Sequence, residues 1–197
     1  GVEVLENTAL ERFAESDGQV CGVVLSDGEK IAADIVLVGI GVLPTTDLAE
    51  IGGLRVDNGI VVDARCRTSD ARIFAAGDCT NFDCQGHRIR LESVPHAIHQ
   101  AETAAQNMLG GSIDYVAEPW FWSDQYDVKL QIAGLNAGFD KTVTRPGRRE
   151  GAYSIWYFRA DRLLAVDAMN DAPAFMIARK LLAKGVAVTP GQAADPA

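Results

Sequence analysis

The stretch of the chain that decides the fold is TSDARIFAAGD, residues 68–78. A short apolar run at residues 73–76 ends at Gly77 and Asp78, which predicts a short buried strand followed by a turn. Because Gly77 has no Cβ, the backbone there can approach a ligand closely. The Asp78 carboxylate can accept hydrogen bonds from sugar-like hydroxyls. A Gly-Asp pair after a strand is also typical of an ordinary turn, so both interpretations stay open on these residues alone.

The residues before this stretch are mostly β in character. We predict strands at residues 2–5, 19–25 and 30–33. The last two are joined through Asp27-Gly28, and Asp-Gly between strand-like runs is a strong hairpin signal. The run DIVLVGIG, residues 34–41, is apolar and rich in β-branched side chains, which favours a further buried strand.

A second β region and a helix lie on either side of the opening stretch. Residues 54–56 and 60–62 surround an Asn-Gly pair, which predicts a tight hairpin. Residues 95–109 are rich in Ala, Gln and Glu and are followed by two glycines, so we predict a helix that stops there. Ser93 is suited to cap this helix, and Pro95 fits its first turn.

The composition changes after residue 111, because all three tryptophans and all four tyrosines lie between Tyr115 and Tyr157. We predict strands at residues 128–133, 153–158 and 163–168, a helix at residues 172–183, and a domain boundary near residues 111–118. The most distinctive stretch is PWFWSDQ, residues 119–125. Clustered aromatic side chains are usually part of a core, and that interpretation stays open here.

Composition and charge exclude several classes of protein. The chain has 197 residues and a formal net charge of -9, which argues against nucleic-acid binding. It contains no apolar run of about 20 residues, so we expect no membrane span, and no secretory signal, so we expect a cytoplasmic protein. The chain begins with Gly1 rather than Met, and we expect it to be a piece of a longer protein.

The four cysteines give no sign of a metal site. Their spacing forms no paired CxxC units, so zinc is not expected. Cys79 and Cys84 stand five residues apart and have the spacing of a redox pair. Small buried thiols in a cytosolic protein are the simpler interpretation.

Four segments together resemble FAD-dependent NAD(P)H:ferredoxin reductases of the putidaredoxin and rhodocoxin reductase type. Residues 68–78 are similar to the second flavin motif of flavoproteins with two dinucleotide-binding domains, with Gly77 at its closing turn. The resemblance implies that Asp78 binds the ribityl chain of FAD. Residues 38–44, which include Gly41, resemble the segment that joins the NAD domain back to the FAD domain.

The other two segments place the flavin ring and the nicotinamide. In the resembling enzymes, the backbone at the position of Val94, next to Pro95, reaches the pyrimidine end of the flavin. Residues 119–125 resemble the opening of the C-terminal domain, where the second Trp lies near the flavin and the nicotinamide. The resemblance thus makes Trp122 the candidate catalytic residue as well as a cofactor-binding one.

The resemblance implies a fold of α/β plus α+β class, the remnant of a two-dinucleotide-domain flavoprotein followed by a C-terminal α+β domain. We expect residues 1–50 to be a remnant of the NAD-binding domain, residues 51–113 the C-terminal part of the FAD-binding domain, and residues 114–197 the C-terminal reductase domain. The implied activity of the parent protein is electron transfer from NADH through FAD to a [2Fe–2S] ferredoxin.

One departure from the family affects the chain as it stands. Neither GxGxxG loop, which would hold the FAD pyrophosphate and the NAD, is present. We therefore expect little FAD binding and no activity from the chain alone. The alternative is an assembly and partner-docking module without catalysis. Sheet edges near residues 1–50 also predict that the chain associates with itself, as a homo-oligomer.

Overall fold

The computed structural model describes residues 1–84 and 86–195. The chain divides into two compact units, Gly1–Leu43 and Pro44–Ala197. None of the helices in these described ranges is long and apolar enough to cross a membrane.

The unit Gly1–Leu43 is built on one antiparallel sheet. Strands β1 (Leu10–Ser16), β2 (Gln19–Leu25) and β3 (Lys30–Ala32) lie in the order β1-β2-β3. The predicted hairpin between residues 19–25 and 30–33 is confirmed. Strand β1 escaped prediction although Asp17-Gly18, with φ of 53° and 76°, makes the turn that joins it to β2.

Two other predictions for this unit are wrong. Residues 2–5 and 34–41 form no strand. Leu37 is 94% exposed, and its neighbours Ile35 and Ile40 are almost as open. A buried strand needs hydrogen-bonding partners on its flanks, and among the described residues no strand pairs with residues 34–41.

The unit Pro44–Ala197 begins with a short helix, α1 (Asp47–Ile51), and a three-stranded sheet. The sheet contains β4 (Ile60–Val61), β5 (Thr80–Cys84) and β6 (His87–Ile89), with β5 in the centre. Strand β4 pairs with β5 in parallel and β6 pairs with it antiparallel. Val62, Phe82 and Cys84 form a small buried cluster beside it.

The structure corrects two strand predictions in this region. The predicted hairpin around the Asn-Gly pair is reduced to a single bridge between Val56 and Ile60, because β4 pairs with β5 instead. The predicted strand at residues 73–76 is reduced to a bridge between Arg67 and Phe74. A turn in which Ile73 N–H donates to the Asp70 carbonyl (2.9 Å) brings only that pair into register.

Helix α2 (Val94–Met108) confirms the predicted helix to within one residue at each end. Its N-cap is Ser93, as expected, and the Ser93 hydroxyl accepts the His96 N–H. The helix ends at Leu109, followed by Gly110 with φ of 94°, a conformation that suits glycine.

The rest of this unit is a five-stranded antiparallel sheet with two helices. Its strands lie in the order β7-β8-β11-β10-β9, and helix α3 packs against β8 and β11 while α4 packs against β9. The strands and helices are β7 (Trp120–Gln125), β8 (Val128–Gly134), β9 (Lys141–Pro146), β10 (Tyr153–Arg159), β11 (Arg162–Met169), α3 (Ala172–Lys184) and α4 (Pro190–Ala194).

The core of this sheet explains why the sequence folds this way. Alternate residues of β10 are buried, as a strand with one covered face requires. Trp156 and Phe158 from that face pack with Phe175 and Ala178 of α3. The three strands and the helix predicted after residue 120 are all confirmed.

Candidate functional site

Gly77 brings the loop before β5 into close contact with helix α2. Its φ is +87°, which favours glycine. Its N–H donates to the side-chain oxygen of Gln100 at 2.7 Å. A Cβ at this position would lie 3.6 Å from the Ala97 Cβ, so the loop lies directly against the first half of α2.

Asp78 follows with a fixed backbone and an open side chain. Its carbonyl accepts a hydrogen bond from Arg90 Nη1 at 3.2 Å, and the same guanidinium pairs with Glu92 at 2.6 Å. The Asp78 side chain is exposed, and its carboxylate makes no hydrogen bond or ion pair with the described residues. A carboxylate held this way is available to accept hydrogen bonds from a ligand.

The start of helix α2 lies beside this loop. Pro95 is buried and has no N–H, while Val94 is 59% exposed. The Val94 N–H has no acceptor among the described residues. The first turn of α2 contains no acidic side chain, so the positive end of the helix dipole is not neutralised there. This end of the helix is suited to a partly negative group.

A buried histidine lies in the same turn of α2. His96 is 3% exposed, and its ring stacks on Phe82 with centroids 4.9 Å apart. Its Nδ1 lies 2.8 Å from the Tyr115 hydroxyl, and its Nε2 is buried with no hydrogen-bond partner among the described residues. Burial lowers the pKa of His96, against opposing contributions from the Gly77 backbone and the Asp78 charge.

Tyr115 and His96 form one neutral pair at ordinary pH. Burial, followed by the nearby Cys66, raises the pKa of Tyr115 to about 12, so its hydroxyl keeps its proton. The Tyr115 hydroxyl and His96 Nδ1 share one hydrogen bond, whose direction depends on the tautomer of the imidazole.

Trp122 lies in a column of aromatic side chains on strand β7. It is 37% exposed and stacks on Trp120, with centroids 5.5 Å apart and planes at 29°. The Arg179 guanidinium lies 4.9 Å from the centre of the Trp120 ring, which also packs near Phe175. Because Trp120 contacts the core and Trp122 is open, the aromatic stretch is both part of a core and an accessible surface.

The predicted site residues thus fall into separate groups. Gly77, Asp78, Val94 and Pro95 meet around the first turn of α2, and β7, which carries Trp122, contacts that helix. Gly41 belongs to the unit Gly1–Leu43, where it has a φ of +100°, and a Cβ there would meet no heavy atom within 4 Å.

A sizeable cavity in the unit Pro44–Ala197 is lined by none of these residues. It has a volume of about 710 Å³ and lies between the β10–β11 turn and the end of α3. Leu163, Leu182 and Val186 line its apolar part, and Arg159 and Arg179 lie at its wall. A cavity of this size is large enough for a small molecule, but the chemistry predicted from the sequence lies elsewhere.

The thiols carry no paired chemistry in this structure. All four cysteines are free, with Cys66 and Cys84 buried. The Cys79 thiol, half buried, donates to the Ala76 carbonyl at 3.6 Å rather than to another sulfur. Among the residues that the structure describes, no cluster of His, Cys, Asp or Glu side chains has the makings of a metal site.

Sequence reasoning missed the buried polar residues behind the loop. Gln100, Tyr115 and Thr80 all support the loop or His96, yet none belongs to a recognisable motif. The available signal was helical periodicity, because Gln100 follows His96 by four residues and therefore shares its face of α2.

Comparison with known proteins gives the family. A model described as pyridine nucleotide-disulphide oxidoreductase matches residues 1–101, about half of the chain. The chain belongs to this family. A second model, described as reductase C-terminal, matches residues 120–197. Both the resemblance to ferredoxin reductases and the predicted fold class are confirmed by these matches and by the similar proteins below.

The similar proteins are ferredoxin reductases. Rhodocoxin reductase of Rhodococcus erythropolis is 46% identical over 197 residues, which cover 99% of this chain and 46% of that protein. The ferredoxin reductase of the CYP199A2 system from Rhodopseudomonas palustris has a TM-score of 0.90 and 41% identity, covering 96% of this chain and 47% of that one.

A third similar structure holds a partner. It is the covalent putidaredoxin reductase–putidaredoxin complex, with a TM-score of 0.89 and 37% identity over 96% of this chain and 46% of that one. The chain therefore spans about half the length of the family members that it matches.

Proposed function

We propose that the intact protein that contains this chain passes electrons from NADH through FAD to a [2Fe–2S] ferredoxin. The observation that carries the proposal is the Gly77–Asp78 loop packed on the first turn of α2, in a chain 46% identical to a rhodocoxin reductase. Two similar structures, a ferredoxin reductase and a putidaredoxin reductase–putidaredoxin complex, support a ferredoxin as the acceptor.

The residues around α2 fit part of a flavin site. The Asp78 carboxylate is free to accept ribityl hydroxyls, and the Val94 N–H is free to donate to the pyrimidine end of the ring. The positive φ of Gly77 favours glycine, and it allows the loop to lie against Ala97 of the helix. When bound, FAD would accept a hydride from the nicotinamide and release single electrons.

Trp122 is proposed to lie where flavin and nicotinamide meet. Its open face can exclude water from that region, while Trp120 stacks on its other side and is itself covered by Arg179. Gly41 is proposed to lie in the backbone segment that leads back toward the flavin domain. The two GxGxxG loops that would hold the phosphates of FAD and NAD are not among the 197 residues.

The domain division is part of the same proposal. We assign residues 1–50 to the NAD-binding domain, 51–113 to the FAD-binding domain and 114–197 to the C-terminal reductase domain. The gap between the two family matches, residues 102–119, supports a boundary near residue 113. Four free thiols support a reducing compartment, so we place the protein in the cytoplasm.

The proposal is tested in the intact protein by anaerobic addition of NADH, followed by a [2Fe–2S] ferredoxin. Bleaching of the flavin absorbance and then reduction of the ferredoxin are expected. Replacing Asp78→Ala should weaken FAD binding roughly 10- to 100-fold, because hydrogen bonds to charged groups contribute about 1.5–3 kcal/mol. The matched control is Asp127→Ala, in the exposed turn between β7 and β8. Equal FAD affinity in both variants would count against the assigned site.

A second candidate is an assembly and partner-docking module without catalysis. It is favoured by the separate core of the five-stranded sheet, in which Trp156, Phe158 and Phe175 pack together without help from residues before 120. A stable flavin-free dimer by solution mass would support this candidate. Electron transfer to ferredoxin by the intact protein would exclude it as the main function.

A further inference from the structure

Gln100 is the most deeply buried polar side chain of helix α2. It is 1% exposed, and its side-chain oxygen lies 2.7 Å from the Gly77 nitrogen and 2.8 Å from the Thr80 hydroxyl. Long polar side chains are rarely buried to this extent unless their hydrogen bonds are needed. The Gly77 N–H therefore donates to this atom of the helix, and the Thr80 hydroxyl lies beside the same atom.

The hydrogen bonds fix which way the Gln100 amide points. The Gly77 N–H can only donate, so the atom that faces it is the amide oxygen. The Thr80 hydroxyl lies 2.8 Å from the same amide oxygen and 2.9 Å from the Gly77 carbonyl, and both of these oxygens are acceptors for its one proton. With the amide reversed, its NH2 group would face the Gly77 N–H, so that two donors would face each other. That orientation of the amide is therefore excluded.

The same residue also holds the segment that precedes the loop. The main-chain carbonyl of Gln100 accepts the Cys66 thiol at 3.7 Å, and Cys66 is fully buried. The Cys66 N–H donates to the Asp63 carbonyl at 3.0 Å, and the Cys66 carbonyl accepts the Ala75 N–H at 3.1 Å. Gln100 is thus tied through its side chain to the loop and through its backbone to the chain before it.

We infer that Gln100 is a positioning residue for the flavin site: its amide clamps Gly77 to α2 and thereby fixes the direction in which Asp78 is presented. This inference rests on the proposed function. Gln100 acts through Gly77, the residue that directly precedes Asp78, and not by contact with the ligand. The amide nitrogen of Gln100 is buried without a partner among the described residues. The hydrogen bond from Gly77, which we call the clamp, is thus made although the amide nitrogen finds no acceptor there.

The test compares Gln100→Met with Thr80→Val in the intact protein. Methionine matches glutamine in length but cannot accept the Gly77 N–H, and we expect at least a tenfold rise in the FAD dissociation constant. Valine at position 80 removes the hydroxyl beside the Gln100 oxygen and the Gly77 carbonyl but leaves the hydrogen bond from the Gly77 N–H to Gln100, so the FAD dissociation constant should change less than threefold. Equal effects of both variants would overturn the clamp.

A double-mutant cycle separates positioning from a general loss of packing. Gln100→Met should have little further effect in a protein that already carries Asp78→Ala, because the two residues act on the same hydrogen bonds. Full additivity of the two effects would mean that Gln100 is only a structural residue. If Gln100→Met does not fold, Gln100→Asn takes its place, since its amide is one methylene too short to reach Gly77.

Amide hydrogen exchange in the flavin-free intact protein keeps this inference distinct from the proposed function. Gly77 N–H should exchange at least tenfold faster in Gln100→Met than in the wild type and remain protected in Thr80→Val. A protein that binds no FAD but shows this exchange pattern would contradict the proposed function and still support the clamp. Unchanged Gly77 exchange in Gln100→Met would overturn the clamp itself.

Discussion

At the scale of single residues, the His96–Tyr115 pair makes stability depend on pH. Burial lowers the pKa of His96 from its ordinary 6.5. The unfolded chain therefore binds a proton more readily than the folded one once the pH falls below 6.5. The contribution of His96 to stability is complete above that pH and is lost as the pH falls toward the lowered pKa.

We predict that urea unfolding midpoints of the protein fall as the pH is lowered from about 7 to 5. His96→Asn should reduce the stability at neutral pH, because the stacking on Phe82 is lost. Its stability should nevertheless change less over the same pH range than that of the wild type. Parallel pH profiles for the two proteins would show that another group titrates.

Cys66 and Cys21 should differ sharply in reactivity. Burial, and then the charge of Asp63, raises the pKa of the Cys66 thiol to about 11. Only roughly one Cys66 in a thousand is then a thiolate at pH 8, and the thiolate is the reactive form. Cys21 is exposed.

Alkylation at pH 8 followed by peptide mass analysis should therefore modify Cys21 first and leave Cys66 intact until the protein is unfolded. A Cys21→Ser variant serves as the control and should lose the most rapidly modified thiol. Modification of Cys66 at the rate of Cys21 would mean that the turn around it opens readily.

Single residues were predictable from the sequence only where a motif names them. Gly77, Asp78 and Val94 were selected from their neighbours in sequence, and the structure brings them to one turn of α2. Gln100 was not, because its importance depends on which loop faces its side of the helix. That information is tertiary and has no local signal.

At the scale of elements, Gly134 at the end of β8 is the position least tolerant of a side chain. Its φ is +82°, and a Cβ would overlap the Leu164 carbonyl and lie 3.0 Å from Leu182 Cδ1. Gly151 also has a positive φ, 73°, but a Cβ there would meet nothing within 4 Å. A side chain at Gly151 therefore introduces backbone strain alone, whereas a side chain at Gly134 introduces strain together with overlap.

We predict that Gly151→Ala lowers the free energy of unfolding by about 1–2 kcal/mol, the cost of a left-handed residue with a Cβ. Gly134→Ala should cost a further 1–3 kcal/mol or so, because the backbone of β11 has to move. Chemical denaturation of both variants measures the difference. Equal losses would show that β8 and β11 separate easily at that end.

The strands that the sequence predicted well after residue 120 belong to one antiparallel sheet, but β7 and β9 of that sheet escaped prediction although each pairs with the next strand of the chain. Strands β8, β10 and β11 pair within one antiparallel sheet, and their alternating pattern is enough to place them. Residues 34–41 have an equally apolar pattern but remain unpaired in the described structure. An apolar run indicates only that burial beside other strands would stabilise the segment. Whether such strands lie next to it depends on the rest of the fold.

At the scale of the whole molecule, the proposed flavin site lacks its phosphate-binding loops within these 197 residues. The chain spans about half the length of its similar proteins and contains neither GxGxxG loop. We predict that the purified 197-residue chain, mixed with FAD and freed of unbound flavin, retains far less than one flavin per chain. An absorbance scan measures the ratio. Near-stoichiometric flavin would mean that association between chains completes the site.

Association itself is predicted from the apolar surface of the unit Gly1–Leu43. Leu37 and Ile40 stand out into solvent from a segment without strand partners, and such segments favour pairing between chains. We expect sedimentation velocity of the chain to show species larger than a monomer, in proportions that rise with concentration.

Replacing both residues, as Leu37→Lys with Ile40→Lys, should shift the distribution toward the monomer, because two charges oppose burial of the segment. The matched control, Leu109→Lys with Val116→Lys, changes two equally apolar exposed residues of the other unit and should leave the distribution unchanged. If the control pair alone dissociates the chain, the associating surface lies in the unit Pro44–Ala197. A monomer at every concentration would show that residues 34–41 remain exposed without finding a partner.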